Sequence, residues 1–345
     1  VTTTDVHADV RTGRARRRRR STGTTTALIV LAVALFVLTM MVGSYYVSPM
    51  DVVMSSLRLR DDPTTDFIVR DLRMPTALTA LTVGVALGIA GIVFQKLLGN
   101  PLASPDFVGV SSGASLFAVS AIVLFQAGSA VVSVSALAGA LLTASLIYVL
   151  AWRDGVSNYR FILIGIGVSQ LMLSIIGYVI SRAQRYEAGE AMTWLVGSVG
   201  RTGAGELRAL VVAVVVIVPI VLVLDRPLRM LELGDDTATA LGARVDPTRL
   251  ALLAMSIVLV GFAAAAVGPL MFVALTAGPI AQRLTGPHGS ILAAGLVGAV
   301  IVLAADLVAQ HALPAALPTG VVTGIIGAPY LIWLLATVNR EGRGG

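Results

Sequence analysis

The chain has 345 residues, of which 56% are hydrophobic and 13% charged, and its mean hydropathy is +0.88. A soluble domain carries roughly a quarter of its residues as charges, so half that density, with apolar runs of about twenty residues, makes lipid the solvent. The net charge of +6 is of the sign that suits nucleic acid, but its distribution argues otherwise: seven arginines crowd between Arg11 and Arg20, directly before an apolar run. That placement reads as a topology signal or a contact with anionic lipid. With no cysteine, disulfides, thiolate metal sites and cysteine nucleophiles are excluded.

In chain order, an Arg-rich tail over 1–26 leads into a first span at about 27–47. This run exceeds a usual signal-peptide h-region, and no small-x-small cleavage site precedes Tyr45-Tyr46, so it is expected to be retained. Further spans follow at about 76–97, 160–181 and 206–225. Three longer apolar stretches must each be divided: 107–152 near Gln126-Ala127-Gly128-Ser129, 249–284 near Gly268-Pro269, and 289–338 at Pro314 and Pro318. Proline removes a helix donor, which is why it marks these breaks. The total is ten, in a permease body over 27–338 with a short tail at 339–345, and the segment at about 270–284 is the shortest. With the N-terminus inside, 17 of the 25 arginines and lysines face the cytoplasm, as the positive-inside rule requires. Both termini are then cytoplasmic.

Within the spans, Gly84, Gly88 and Gly91 share a helix face and predict close helix contact, since small residues let backbones approach in lipid. Asp306 is the only acid in a span, and it is expected to be a satisfied helix-end carboxylate. Ion-coupled carriers keep titratable groups at mid-membrane, so the shortage of them weakens that class. No phosphate-binding loop surrounds Lys96, the only lysine, and His7, His288 and His311 form no ligand cluster. No catalytic site, metal site or cofactor of this chain's own is expected.

Four stretches do more than span. Arg73-Met74-Pro75 enters the second span, and beyond it Gly99-Asn100-Pro101 through Ser111-Ser112-Gly113 reads as a broken or re-entrant segment, tolerated at membrane depth only where protein or a cavity surrounds it. The loop 225–249 carries a short amphipathic helix centred on 231–242, with Asp235 as N-cap and Gly242 at the C-cap. The third stretch runs from Gly268-Pro269 through Gly278-Pro279 to Arg283. The fourth runs from Asp306 through Pro318-Thr319-Gly320 to Pro329.

Together, in order and with spacing kept from about residue 28 to 338, these stretches resemble the bacterial permease family of ABC importers for iron-siderophores, haem and cobalamin. The resemblance implies an all-α membrane protein with ten transmembrane helices per subunit, assembled as a twenty-helix dimer around a central translocation pathway in the cell membrane. It implies a second permease subunit, a cytoplasmic ABC ATPase dimer that binds the ATP and Mg, and an extracytoplasmic substrate-binding protein. It also makes Glu232, Leu233, Gly234, Asp235, Leu241 and Gly242 the ATPase-coupling segment. Arg73 matches the first arginine of the family's Arg-x-Pro-Arg, which pairs with the binding protein. The second arginine is Thr76 here, with Arg70 as its substitute. Ser157, Asn158 and Tyr159 fall on the cytoplasmic gate of cobalamin permeases. Gly278-Pro279, where most members have Pro-His, is similar to the second subunit of ferric enterobactin permeases and points to a ferric-siderophore and a heterodimer. A cobalamin or haem permease, an ion-coupled carrier and a membrane sensor are the alternatives.

Overall fold

The computed structural model describes residues 3–341 apart from 44, 60–61, 153–157, 287–289 and 313–314. All regular structure among them is helical. The first helix, α1 (Thr3–Met41), contains the apolar span Ser21–Met41. It therefore stops six residues before the sequence-based limit of 47. The reason lies 32 residues on: Arg73 donates from Nη1 to the carbonyls of Met40 (2.8 Å) and Met41 (3.0 Å), and from Nη2 to that of Tyr45. Those carbonyls have no partner inside the helix once it ends, and a guanidinium satisfies them better than water can at this depth.

Next come α2 (Pro49–Ser56), capped by the Ser48 hydroxyl, and α3 (Pro63–Asp66), capped by Asp62. A π-helical turn, Phe67–Arg73, joins α3 to α4 (Met74–Leu98), and the Met74 amide reaches back five residues to Val69. Pro75 has no N–H to give, and the widened turn is how the helix passes it without ending. The chain continues through α5 (Val110–Phe125), α6 (Ser129–Ala151), α7 (Asn158–Arg182), α8 (Arg185–Val196) and α9 (Ala204–Val223). Two short helices, α10 (Asp225–Leu231) and α11 (Asp235–Ala240), precede α12 (Val245–Val267), α13 (Val273–Thr285), α14 (Ile291–His311) and α15 (Thr319–Glu341).

Eight of these helical stretches are long and apolar enough to cross a membrane, and α5 is a shorter apolar one. α13 is shorter still, about 20 Å at 1.5 Å per residue, and the unwound residues 268–272, with positive φ at Gly268 (+79°) and Phe272 (+68°), lead into it. The end of the bundle that holds α10 and α11 is here termed proximal, and the opposite end distal.

The core centres on α4: the most apolar 18-residue window of the 63–98 stretch is 78% buried, whereas that of the 159–182 stretch is only 17% buried. α4 earns its central place through glycine. A Cβ at Gly84 would strike the backbone of Gly298 and Ala299, one at Gly88 the carbonyl of Ala294, and one at Gly91 that of Ala274. The expected glycine face is therefore the seam between α4, α13 and α14. Asp306 is buried at 1% exposure, accepting from Thr319 Oγ1 (2.8 Å) and Gln310 Nε2 (2.8 Å), so it is the satisfied carboxylate foreseen from sequence. Thr319 Oγ1 in turn accepts from the Val199 amide, tying α14 and α15 to the distal turn after α8.

Candidate functional site

The proximal segment 225–249 is anchored on one side and open on the other. Leu228, Leu231 and Ala238 are buried against the bundle, while Leu233 and Leu241 are 60% and 56% exposed. Two ion pairs fix it: Glu232 Oε1 lies 3.0 Å from Lys96 Nζ at the end of α4, and Asp235 Oδ1 lies 2.6 Å from Arg249 Nη2 in the first turns of α12. Asp235 is not the N-cap expected of it. Gly234, at φ +94°, takes that position and Asp235 is the first helical residue, because its carboxylate is held by Arg249 instead of turning back on its own amides. Gly242 does close α11: at φ +85° it lets the Ala243 amide reach the Ala238 carbonyl (2.9 Å), the bond of a left-handed helix terminus. The result is a rigid platform with two outward-facing leucines flanking a short helix.

A second site lies at membrane depth. After α4, Gly99 (φ +61°) turns the chain back, Ser104 caps a 3-10 turn at Pro105–Val108, and Gly109 (φ +83°) hands over to α5. Gly109 abuts Thr143 and Ile147 of α6 and Ser169 of α7, and Ser169 lies about 16 Å along α7 from its first residue. The segment is thus re-entrant, as expected. It and the second unwound stretch, 268–272, meet at a cavity of about 520 Å³. Ser104, Asp106, Ser111, Ser112 and Ser115 line one side, Ser169 and Gln170 of α7 another, and Pro269, Met271, Phe272 and Leu275 a third. Asp106 accepts from Ser111 Oγ at 2.5 Å and from Ser104 Oγ at 3.2 Å. Discontinuous helices meeting near the midplane are how many transporters build a passage, since the freed backbone is tolerated where it lines a cavity. Ser115, Ser169 and Gln170 were missed from sequence. A Ser-Gln pair in the middle of an apolar helix was the available signal.

The remaining candidates are dispersed. Arg70 and Arg73 sit at the distal end, but Arg73 is spent on the α1 carbonyls and Arg70 lies 3.8 Å from Asp66. Of the expected gate, Ser157 lies outside the described residues, Asn158 opens α7, and Tyr159 is 74% exposed. Arg73→Ala should lower stability clearly, because hydrogen bonds from a charged donor are each worth about 1.5–3 kcal/mol. Arg70→Ala should shift it by about 0–1 kcal/mol, as a partly exposed pair at 3.8 Å allows. Thermal unfolding in detergent reads both, and equal midpoints for the two variants would refute the capping role of Arg73.

Residues 30–337 match the FecCD transport family. The chain belongs to that family. It is 39% identical over 277 residues to the ferric enterobactin transport system permease protein FepG of Escherichia coli (strain K12), covering 79% of this chain and 84% of that one. It is 36% identical over 312 residues to the achromobactin transport system permease protein CbrC of Dickeya dadantii (strain 3937), covering 89% of each. Among solved structures, an inward-facing metal-chelate type ABC transporter superposes with a TM-score of 0.79 at 27% identity, over 92% of this chain and 99% of that one. This FecCD protein is therefore a multi-pass membrane permease, a transport component, with the cavity between its broken helices as its candidate passage.

Proposed function

We propose that this FecCD permease is one membrane subunit of an ATP-driven importer that brings a ferric-siderophore into a bacterial cell across its cytoplasmic membrane. A second permease, a pair of ABC ATPases and an extracytoplasmic binding protein complete the machine. The relatives named for ferric enterobactin and achromobactin support a ferric chelate as cargo. The observation that carries the ATP-driven reading is the proximal platform, where two large apolar side chains stand exposed on a segment pinned by two ion pairs. Such leucines, outside lipid and not needed by the fold, suit a protein partner. The proximal end is then cytoplasmic, and Arg70 is the better placed of the two distal arginines to meet acids on a binding protein.

Mechanistically, ATP binding and hydrolysis would change the spacing of the two ATPases and displace the platforms docked on them. The hydroxyl-rich cavity needs only weak contact with its cargo, because release on the far side requires that no step bind tightly. The test is uptake into proteoliposomes holding the whole complex, offered radioiron-loaded catecholate, hydroxamate and citrate chelates, haem and cobalamin. ATP-dependent accumulation of one ferric chelate is the expected result. Accumulation of haem or cobalamin instead would overturn the substrate class, and uptake driven by an ion gradient without ATP would overturn the importer class.

A further inference from the structure

Pro279 sits inside α13 and has no N–H, so the carbonyl of Leu275, four residues earlier, has lost its helix donor. That carbonyl is not left bare. Gln95 of α4, 180 residues away in sequence, donates to it from Nε2 at 3.0 Å, in a buried position. Gly278 makes the approach possible, since a Cβ there would strike the Gln95 side-chain oxygen. The Gly278-Pro279 pair and Gln95 thus form one device: proline vacates an acceptor, glycine clears the way, and glutamine fills it. The residue after Gln95 is Lys96, whose side chain is 5% exposed and whose Nζ lies 3.0 Å from Glu232 on the proximal platform. Leu275, at the other end, lines the midplane cavity, one turn from Phe272.

We propose that Lys96 and Gln95, neighbours in the last turn of α4, are the positioning residues through which the proximal platform controls the start of α13. The path runs from Glu232 through Lys96 and Gln95 to Leu275. The two outer links are directional contacts, and the side chains that make them spring from adjacent residues at one helix end. A pull on the platform therefore reaches the cavity wall without passing through mobile loops. The inference rests on the platform being the ATPase dock.

The test uses the full complex in proteoliposomes and reads two quantities: chelate moved per ATP hydrolysed, and ATPase retained on the permease. Lys96→Gln should lower chelate per ATP by about tenfold, in the range seen when coupling residues are changed, with the ATPase retained. Lys96→Arg, which keeps the charge, should restore it to within about twofold. Gln95→Met keeps the volume, removes the donor and should uncouple similarly. The double variant should be no worse than the worse single one, because both changes break the same path. A wild-type ratio in Lys96→Gln, single effects that multiply in the double variant, or loss of the ATPase from Lys96→Gln would each overturn the proposal. Failure of the dock itself shows differently: the ATPase would then stay on a permease carrying both Leu233→Asp and Leu241→Asp.

Discussion

A permease carrying Leu233→Asp or Leu241→Asp is expected to insert and fold normally and to lose ATP-driven uptake. Folding is indifferent because both side chains are more than half exposed. Docking is not, because burying either leucine beneath a partner makes it a central contact, and truncating such contacts typically costs about 2–4 kcal/mol. At about 1.4 kcal/mol per factor of ten, affinity for the ATPase falls by roughly 30- to 1000-fold, and a buried carboxylate pushes toward the upper figure. Co-purification of the ATPase and uptake into proteoliposomes should fall together. Undiminished uptake with the ATPase bound would sink the assignment of the platform.

The second large effect is expected at the seam of α4. Gly88→Ala places its methyl against the Ala294 carbonyl, and backbone cannot swing aside as a flexible side chain does. Forcing atoms into a well-packed interior typically costs about 1–3 kcal/mol, and here two helices must separate along the seam, so the upper end or beyond applies. Gly189→Ala, in α8 with nothing within 4 Å of the added methyl, is the matched control. It should gain up to about 1 kcal/mol from helix propensity alone. Unfolding midpoints in detergent separate the two, and a Gly88→Ala protein as stable as the control would show that the helices are not in backbone contact.

How far the molecule could be read from its residues depends on how far apart the interacting residues lie. The glycine face of α4, the turn between α5 and α6, the re-entrant stretch and the satisfied Asp306 were all legible, because each follows from local period, punctuation or the cost of burying a charge. The limit of α1 was not. Tyr45, Tyr46 and Val47 look like membrane residues, and the helix is ended by a guanidinium 32 positions beyond Met41. The cap of α11 was misjudged for the same kind of reason, since Asp235 had a competing partner 14 residues away in Arg249. Pro279 signalled that the Leu275 carbonyl needed a donor, but nothing local could name Gln95. In the site, the ends of helices and loops were visible, while the cavity was not, because it exists only where two unwound stretches from different parts of the chain converge.

The thinly covered face of α7 carries a consequence for how much of this protein a cell can keep. Gln170, Ser174 and Gly177 lie on it, exposed, beside Tyr178 at 63%. A copy that reaches the bilayer alone turns these polar and small groups toward hydrocarbon, where a side-chain amide costs several kcal/mol unless something pairs with it. A copy with nothing over α7 is then expected to be less stable in the bilayer than one whose α7 is covered, so that whatever covers this face should raise the amount of folded protein recovered.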